Sequence, residues 1–242
     1  MSIVKRAVAE GVGTAILLAA IVGSGIMAQR LSGGNVAVAL LANAIATGGV
    51  LVCLIAALGP ISGAHFNPAV TIADAVQGGI AWQDVAPYVA AQITGALGGV
   101  ALANVMFGLP PFFASHHVRG GPILLLSEFV ATFGLLLVIW GCVRFKNAFV
   151  PFAVAGYIVG AYWFTPSTSF ANPAVTIARS LSDTFAGIRP ADVPGFVGAQ
   201  LAGALAATAL FGWLVPIRKR EAEAVLVPHE QQHRSEAAPH VV

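Results

Sequence analysis

Apolar residues come in long runs, near 7–28, 36–58, 85–107, 122–143, 148–165 and 193–216. Short clusters break them at Ser32-Gly33-Gly34-Asn35, Gly108-Leu109-Pro110-Pro111, Gly120-Gly121-Pro122 and Ile188-Arg189-Pro190, all turn and stop signals. Most runs approach the ~20 residues a helix needs to cross the ~30 Å hydrocarbon core of a bilayer. The pattern predicts six membrane-spanning helices, the fifth short unless it extends into the preceding loop. Two further segments, Pro68 to Gln77 and Pro173 to about Ser182, reach only about 15 Å at ~1.5 Å per residue. These are half-helices, too short to cross.

Each half-helix opens on the same string, Asn-Pro-Ala-Val-Thr-Ile-Ala, at Asn67 and at Asn172. Asn is a strong N-cap and Pro is best tolerated at the first helical position, so both helices should start abruptly. The duplication extends further. Glu10 in span one matches Glu128 in span four, and Asp84 through Gln92 matches Asp192 through Gln200. Each half therefore holds three spans and one half-helix. Three is odd, so the second half enters from the opposite side as an inverted repeat. The half-helix N-termini would then meet near the midplane. Irregular backbone at that depth is tolerated only against protein or water, which implies a water-lined path.

Composition agrees: 57% of residues are hydrophobic and 9% charged, with mean hydropathy +0.84, against about 25% charged in soluble domains. The net charge of +2 implies no nucleic-acid partner. Cys53 and Cys142 stand alone in apolar runs and read as structural thiols, with no disulfide framework, metal spacing or cofactor motif. The first run is longer than the ~7–15 residue core of a signal peptide and contains Glu10. Lys5, Arg6, Arg144, Lys146, Arg218, Lys219 and Arg220 fall on one side, and Arg30, Arg119 and Arg189 on the other, which places both termini in the cytoplasm. The expected organisation is one domain over residues 1–216, with repeats at 7–107 and 122–216. Residues 217–242 read as a disordered cytoplasmic tail, whose His229, His233 and His240 are either weak metal ligands or simply solvated.

At these residues the chain resembles the aquaporin, or major intrinsic protein, family. The likeness covers 7–216 and includes both Asn-Pro-Ala boxes, Glu10 and Glu128, and Ser62-Gly63-Ala64-His65-Phe66 before the first box. It implies an all-α channel with six transmembrane helices and two re-entrant half-helices. It also implies a homotetramer with one pore per subunit, in a bacterial inner membrane. The physiological partners would be water, small neutral solutes and lipid, and no enzymatic chemistry is expected.

Asn67 and Asn172 would cap their own half-helices with the side-chain oxygen and aim NH₂ donors into the lumen. The helix ends add roughly +0.5 charge each, so protons and cations meet a barrier. For Glu10 and Glu128 two roles are open: a proton relay, or acceptors for re-entrant-loop N–H groups, the role the resemblance supports. His65 either lines the inner vestibule or packs the loop. Asp74 and Arg179, each seven residues after its Asn, either steer solutes or make local ionic contacts.

Most family members carry Arg immediately after the second Asn-Pro-Ala; this chain has Val175. The other outer-filter positions map to Thr47, Gly160 and Ser169. That predicts a wide, uncharged mouth. The Thr/Val pattern resembles bacterial homologues associated with arsenic-resistance genes, implying passage of neutral metalloid species such as arsenite or methylated arsenic acids, besides water and polyols. Alternatives are a mainly water-selective aquaporin and an ion- or proton-coupled secondary transporter.

Overall fold

The structure is a computed structural model and describes residues 1–215. The tail and its three histidines lie outside the described residues. Eight helices follow in chain order: α1 (Ile3–Leu31), α2 (Val36–Ser62), α3 (Pro68–Gln77), α4 (Trp82–Met106), α5 (Pro122–Phe145), α6 (Val150–Phe164), α7 (Pro173–Arg179) and α8 (Val193–Leu214). Six are long and apolar enough to cross a membrane. The two short ones, α3 and α7, are the half-helices, entered from opposite faces.

Several boundaries differ from the sequence reading. Helix α1 starts at Ile3 rather than near residue 7, because Arg6 is neutralised inside the bundle. Its guanidinium reaches the Tyr88 hydroxyl at 2.7 Å and Asp84 at 3.0 Å. Helix α2 continues through Pro60 to Ser62. Helix α7 ends at Arg179, not near Ser182. No glycine stops it there. Instead the Ser180 and Leu181 carbonyls accept from Ser115 N–H (2.9 Å) and Phe113 N–H (3.0 Å), so the connection before α5 lies over this face and draws the chain out of helix.

Each half packs its first span against its third, α1 against α4 and α5 against α8. Glycines set the spacing. A Cβ on Gly95 would collide with the Gly11 carbonyl, one on Gly99 with the Ala15 carbonyl, and one on Gly203 with the Phe129 carbonyl. The small-residue pairs on spans three and six therefore serve packing within the chain. Gly156 and Gly160 differ: both are exposed, with open space where a Cβ would be.

Candidate functional site

Two non-helical loops, residues 63–67 and 165–172, run into the bundle and deliver the half-helices. Their backbones are unusual. Ala64, Phe66, Thr168, Ser169 and Ala171 all have φ between 48° and 62°, a region that costs a non-glycine residue about 1–3 kcal/mol unless its surroundings over-determine it. Buried carboxylates supply that determination. Glu10 accepts from His65 N–H (3.0 Å), Phe66 N–H (2.6 Å), the Ser62 hydroxyl (2.6 Å) and Gln92 Nε2 (2.8 Å). Glu128 accepts from Phe170 N–H and Ala171 N–H, both at 2.9 Å, and from Gln200 Nε2 (2.6 Å). Consecutive N–H groups in such turns form an anion-binding concavity, and here the anion is the chain's own glutamate.

Gln92 and Gln200 complete each arrangement by also donating to Thr71 and Thr176, at 2.9 and 2.8 Å. Both glutamines stood in the sequence repeat without a role. The matching of acid, loop and threonine in both halves was the signal that could have found it.

The two asparagines cap as their position demands. Asn67 Oδ1 accepts from Ala69 N–H at 2.9 Å, and Asn172 Oδ1 from Ala174 and Val175 N–H at 3.0 and 3.3 Å. Their NH₂ groups do more than face the lumen. Each donates one hydrogen to the opposite loop, Asn67 to the Ala171 carbonyl and Asn172 to the Phe66 carbonyl, both at 2.8 Å. One N–H of each amide remains for a solute.

Both asparagines line a cavity that runs from Val143 and Val150 near the termini-bearing face, past His65, to Ser169, Tyr162 and Arg179 on the other. Its volume is about 90 Å³. At roughly 10–15 Å³ per water that holds a file of molecules, not a pool. The walls are mostly apolar, with polar side chains few.

His65 lines the half nearer the termini, its Nδ1 at 3.1 Å from the Thr71 hydroxyl and its Nε2 at 3.6 Å from Asp74. Asp74 therefore makes a local contact, buried beneath the turn that ends α3. Thr47, Ser169 and Val175 all line the half remote from the termini. Gly160 does not: it faces outward, and Tyr162 and Ile158 supply the α6 lining. Tyr162 also places its hydroxyl 3.3 Å from that of Thr47. An offset of two residues on a helix turns a side chain by roughly 200°, so the register error exchanged the lumen face for the outer one.

The uncharged mouth is corrected as well. Arg179 is buried and lines the cavity. It lies four residues, one helical turn, beyond Val175 and so shares its face. Its Nε donates to the Ala186 carbonyl, and its guanidinium lies 3.4 Å from the centroid of the Phe170 ring.

The sequence profile of the family described as Major intrinsic protein matches residues 1–167. The chain belongs to this family. Its members are channels, not enzymes, and six crossings make the chain an integral membrane protein. It is 56% identical to the aquaglyceroporin AqpS of Rhizobium meliloti over 211 residues, which span 87% of this chain and 90% of that one. It is 33% identical to the probable aquaporin AqpM of Archaeoglobus fulgidus over 242 aligned residues, 88% of this chain and 98% of that one. Among solved structures, the aquaglyceroporin from Plasmodium falciparum superposes with a TM-score of 0.63 at 20% identity, covering 87% of this chain and 96% of that one. That last likeness speaks to the fold alone.

Proposed function

We propose that this chain is a passive channel for small neutral solutes, with water and glycerol in its range and neutral metalloid hydroxides, such as arsenite or methylated arsenic acids, within reach of its outer filter. One observation carries the reading: a cavity of about 90 Å³ runs past both capping amides, and the residue after the second box is Val175. A guanidinium at that position would hold five fixed donors against the lumen; valine holds none. Glu10 and Glu128 are fully buried and bonded to loop N–H groups, which disfavours proton coupling. The description of the 56% identical relative as an aquaglyceroporin supports a solute range beyond water.

Arg179 in the outer lining favours a second reading, in which the mouth passes mainly water. Stopped-flow measurements on proteoliposomes separate the two. The wider reading expects water, glycerol and arsenous acid each to enter faster than into empty vesicles; water alone entering establishes the narrower one. No flux of any of the three overturns both. The assembly we propose is a homotetramer with one lumen per subunit, in a bacterial inner membrane with both termini cytoplasmic. Apolar side chains facing outward, such as Val12, Ile16, Leu102 and Trp163, suit contact with lipid or another copy.

A further inference from the structure

Phe170 carries two cations. Arg179 Cζ lies 3.4 Å from its ring centroid and Arg119 Cζ 5.1 Å. Neither guanidinium meets a carboxylate among the described residues. Arg119 donates to the carbonyls of Gly187 (2.8 Å) and Ser167 (3.2 Å), and Arg179 to that of Ala186. The acids of this half of the molecule are engaged elsewhere. Glu128 is bonded to Phe170 N–H, Ala171 N–H and Gln200. Asp183 is bonded to His116, and Asp192 to Arg189 and the Arg119 backbone. A buried arginine, Arg179, and a half-buried one, Arg119, thus stand against one buried glutamate, leaving one positive charge uncompensated. Burying an unpaired charge is costly, and the ring face offsets only part of that cost.

The excess charge opens onto a passage. Arg179 and Ser169 both line the cavity, and the Ser169 hydroxyl is buried with no hydrogen-bond partner among the described residues. The two terminal NH₂ groups of Arg179 likewise have no hydrogen-bond partner among the described residues. A flat fork of donors lining the same cavity as an unused hydroxyl suits a planar group with two oxygens, which a guanidinium binds through parallel hydrogen bonds.

We propose that the Arg179 guanidinium and the Ser169 hydroxyl form a binding site for a small monovalent oxyanion, of nitrate or formate size, at the end of the cavity remote from the termini. One uncompensated charge suits a monoanion, and the narrow lumen leaves no room for a large hydrated dianion. The site lies in the path, so an anion held there obstructs whatever solute follows; that consequence, though not the binding itself, rests on the channel reading.

Calorimetric titration of nitrate and formate into the purified full-length protein in detergent, at constant ionic strength set with gluconate, tests the site without requiring flux. Saturable one-to-one binding is expected. Arg179→Lys keeps the cation but loses the planar fork. Ser169→Ala removes only the unpartnered hydroxyl. Each should weaken binding by about tenfold, the equivalent of one charge-assisted hydrogen bond. Thermal unfolding identifies a variant that has lost its fold, and the other then decides. Absence of saturable binding by the unsubstituted protein, or equal binding by a folded Ser169→Ala variant, overturns the proposal. In proteoliposomes, external nitrate should slow water entry where gluconate does not. Flux indifferent to the anion removes the obstruction, whereas no flux in any salt defeats the channel reading and leaves the titration to judge the site.

Discussion

Asn67 and Asn172 secure one another's loops. The amide of Asn67 donates to the carbonyl of Ala171, the residue before Asn172, and the amide of Asn172 donates to the carbonyl of Phe66, the residue before Asn67, each at 2.8 Å. Cap and latch are one side chain, so the two half-helices share a fate.

Asn172→Ala removes a helix cap, about 0.5–2 kcal/mol, and leaves a buried carbonyl without its donor, about 1–3 kcal/mol more. Asn67→Ala should cost the same. Because the loops support each other, the double variant should lose less than the sum of the singles. Thermal unfolding of the four proteins measures that coupling; strict additivity would mean that the latches act independently.

Glu10→Gln replaces one acceptor oxygen by an NH₂ that faces N–H donors. Each charge-assisted hydrogen bond lost is worth about 1.5–3 kcal/mol, and the positive φ of Ala64 and Phe66 loses its support. The variant should melt earlier and lose flux of every solute together. Unaltered stability with loss of only a pH-driven flux would instead mark Glu10 as a proton carrier.

Gly95→Ala and Gly98→Ala lie three residues apart on α4 with opposite expectations. The first drives a methyl into the Gly11 backbone; the second meets nothing within 4 Å. Overpacking costs about 1–3 kcal/mol, whereas Ala without a clash favours a helix interior over Gly by about 0.5–1 kcal/mol, so Gly95→Ala should lower the melting temperature and Gly98→Ala should hold or raise it.

Val175→Arg places a guanidinium one turn inward of Arg179. Glycerol entry should fall more than water entry in stopped-flow swelling. Equal reduction of both would show that Val175 does not set the width of the outer end.

Asp183 lies in the connection between α7 and α8. The His116 backbone N–H and ring bind its carboxylate at 2.9 and 3.0 Å and hold its pKa below the usual carboxylate range, the backbone bond contributing most. The lowered pKa stabilises the fold fully above the ordinary carboxylate value of about 3.9, and the effect fades as pH falls through the lower folded value. The pair is exposed, so its contribution stays under about 1 kcal/mol. Melting temperatures of Asp183→Asn and the unsubstituted protein should differ at pH 6 and converge toward pH 3.

The spans, the half-helices and the inverted relation were legible because a repeated heptapeptide and run lengths against bilayer thickness constrain them tightly. Asn67, Asn172, Ser169 and Val175 sit at fixed distances from a box, and all four line the cavity. Gly160 was not placed correctly because α6 carries no box, and nothing in an apolar run fixes its rotation. Arg179 was seen, but its reach was not. Its position depends on the ring of Phe170 and the carbonyl of Ala186, contacts made by a connection with no periodic signal. The early end of α7 was hidden for a related reason, since its stop is made by carbonyls bonded to residues 113 and 115, far earlier in the chain.

The crossed latches also impose an order on biogenesis. When the first half leaves the ribosome, the carbonyl of Phe66 awaits a donor that has not yet been translated, and the amide of Asn67 has no acceptor across the way. The early product is therefore an assembly of three spans and one half-helix with an unfinished centre, and the lumen closes only when the last third of the polypeptide arrives.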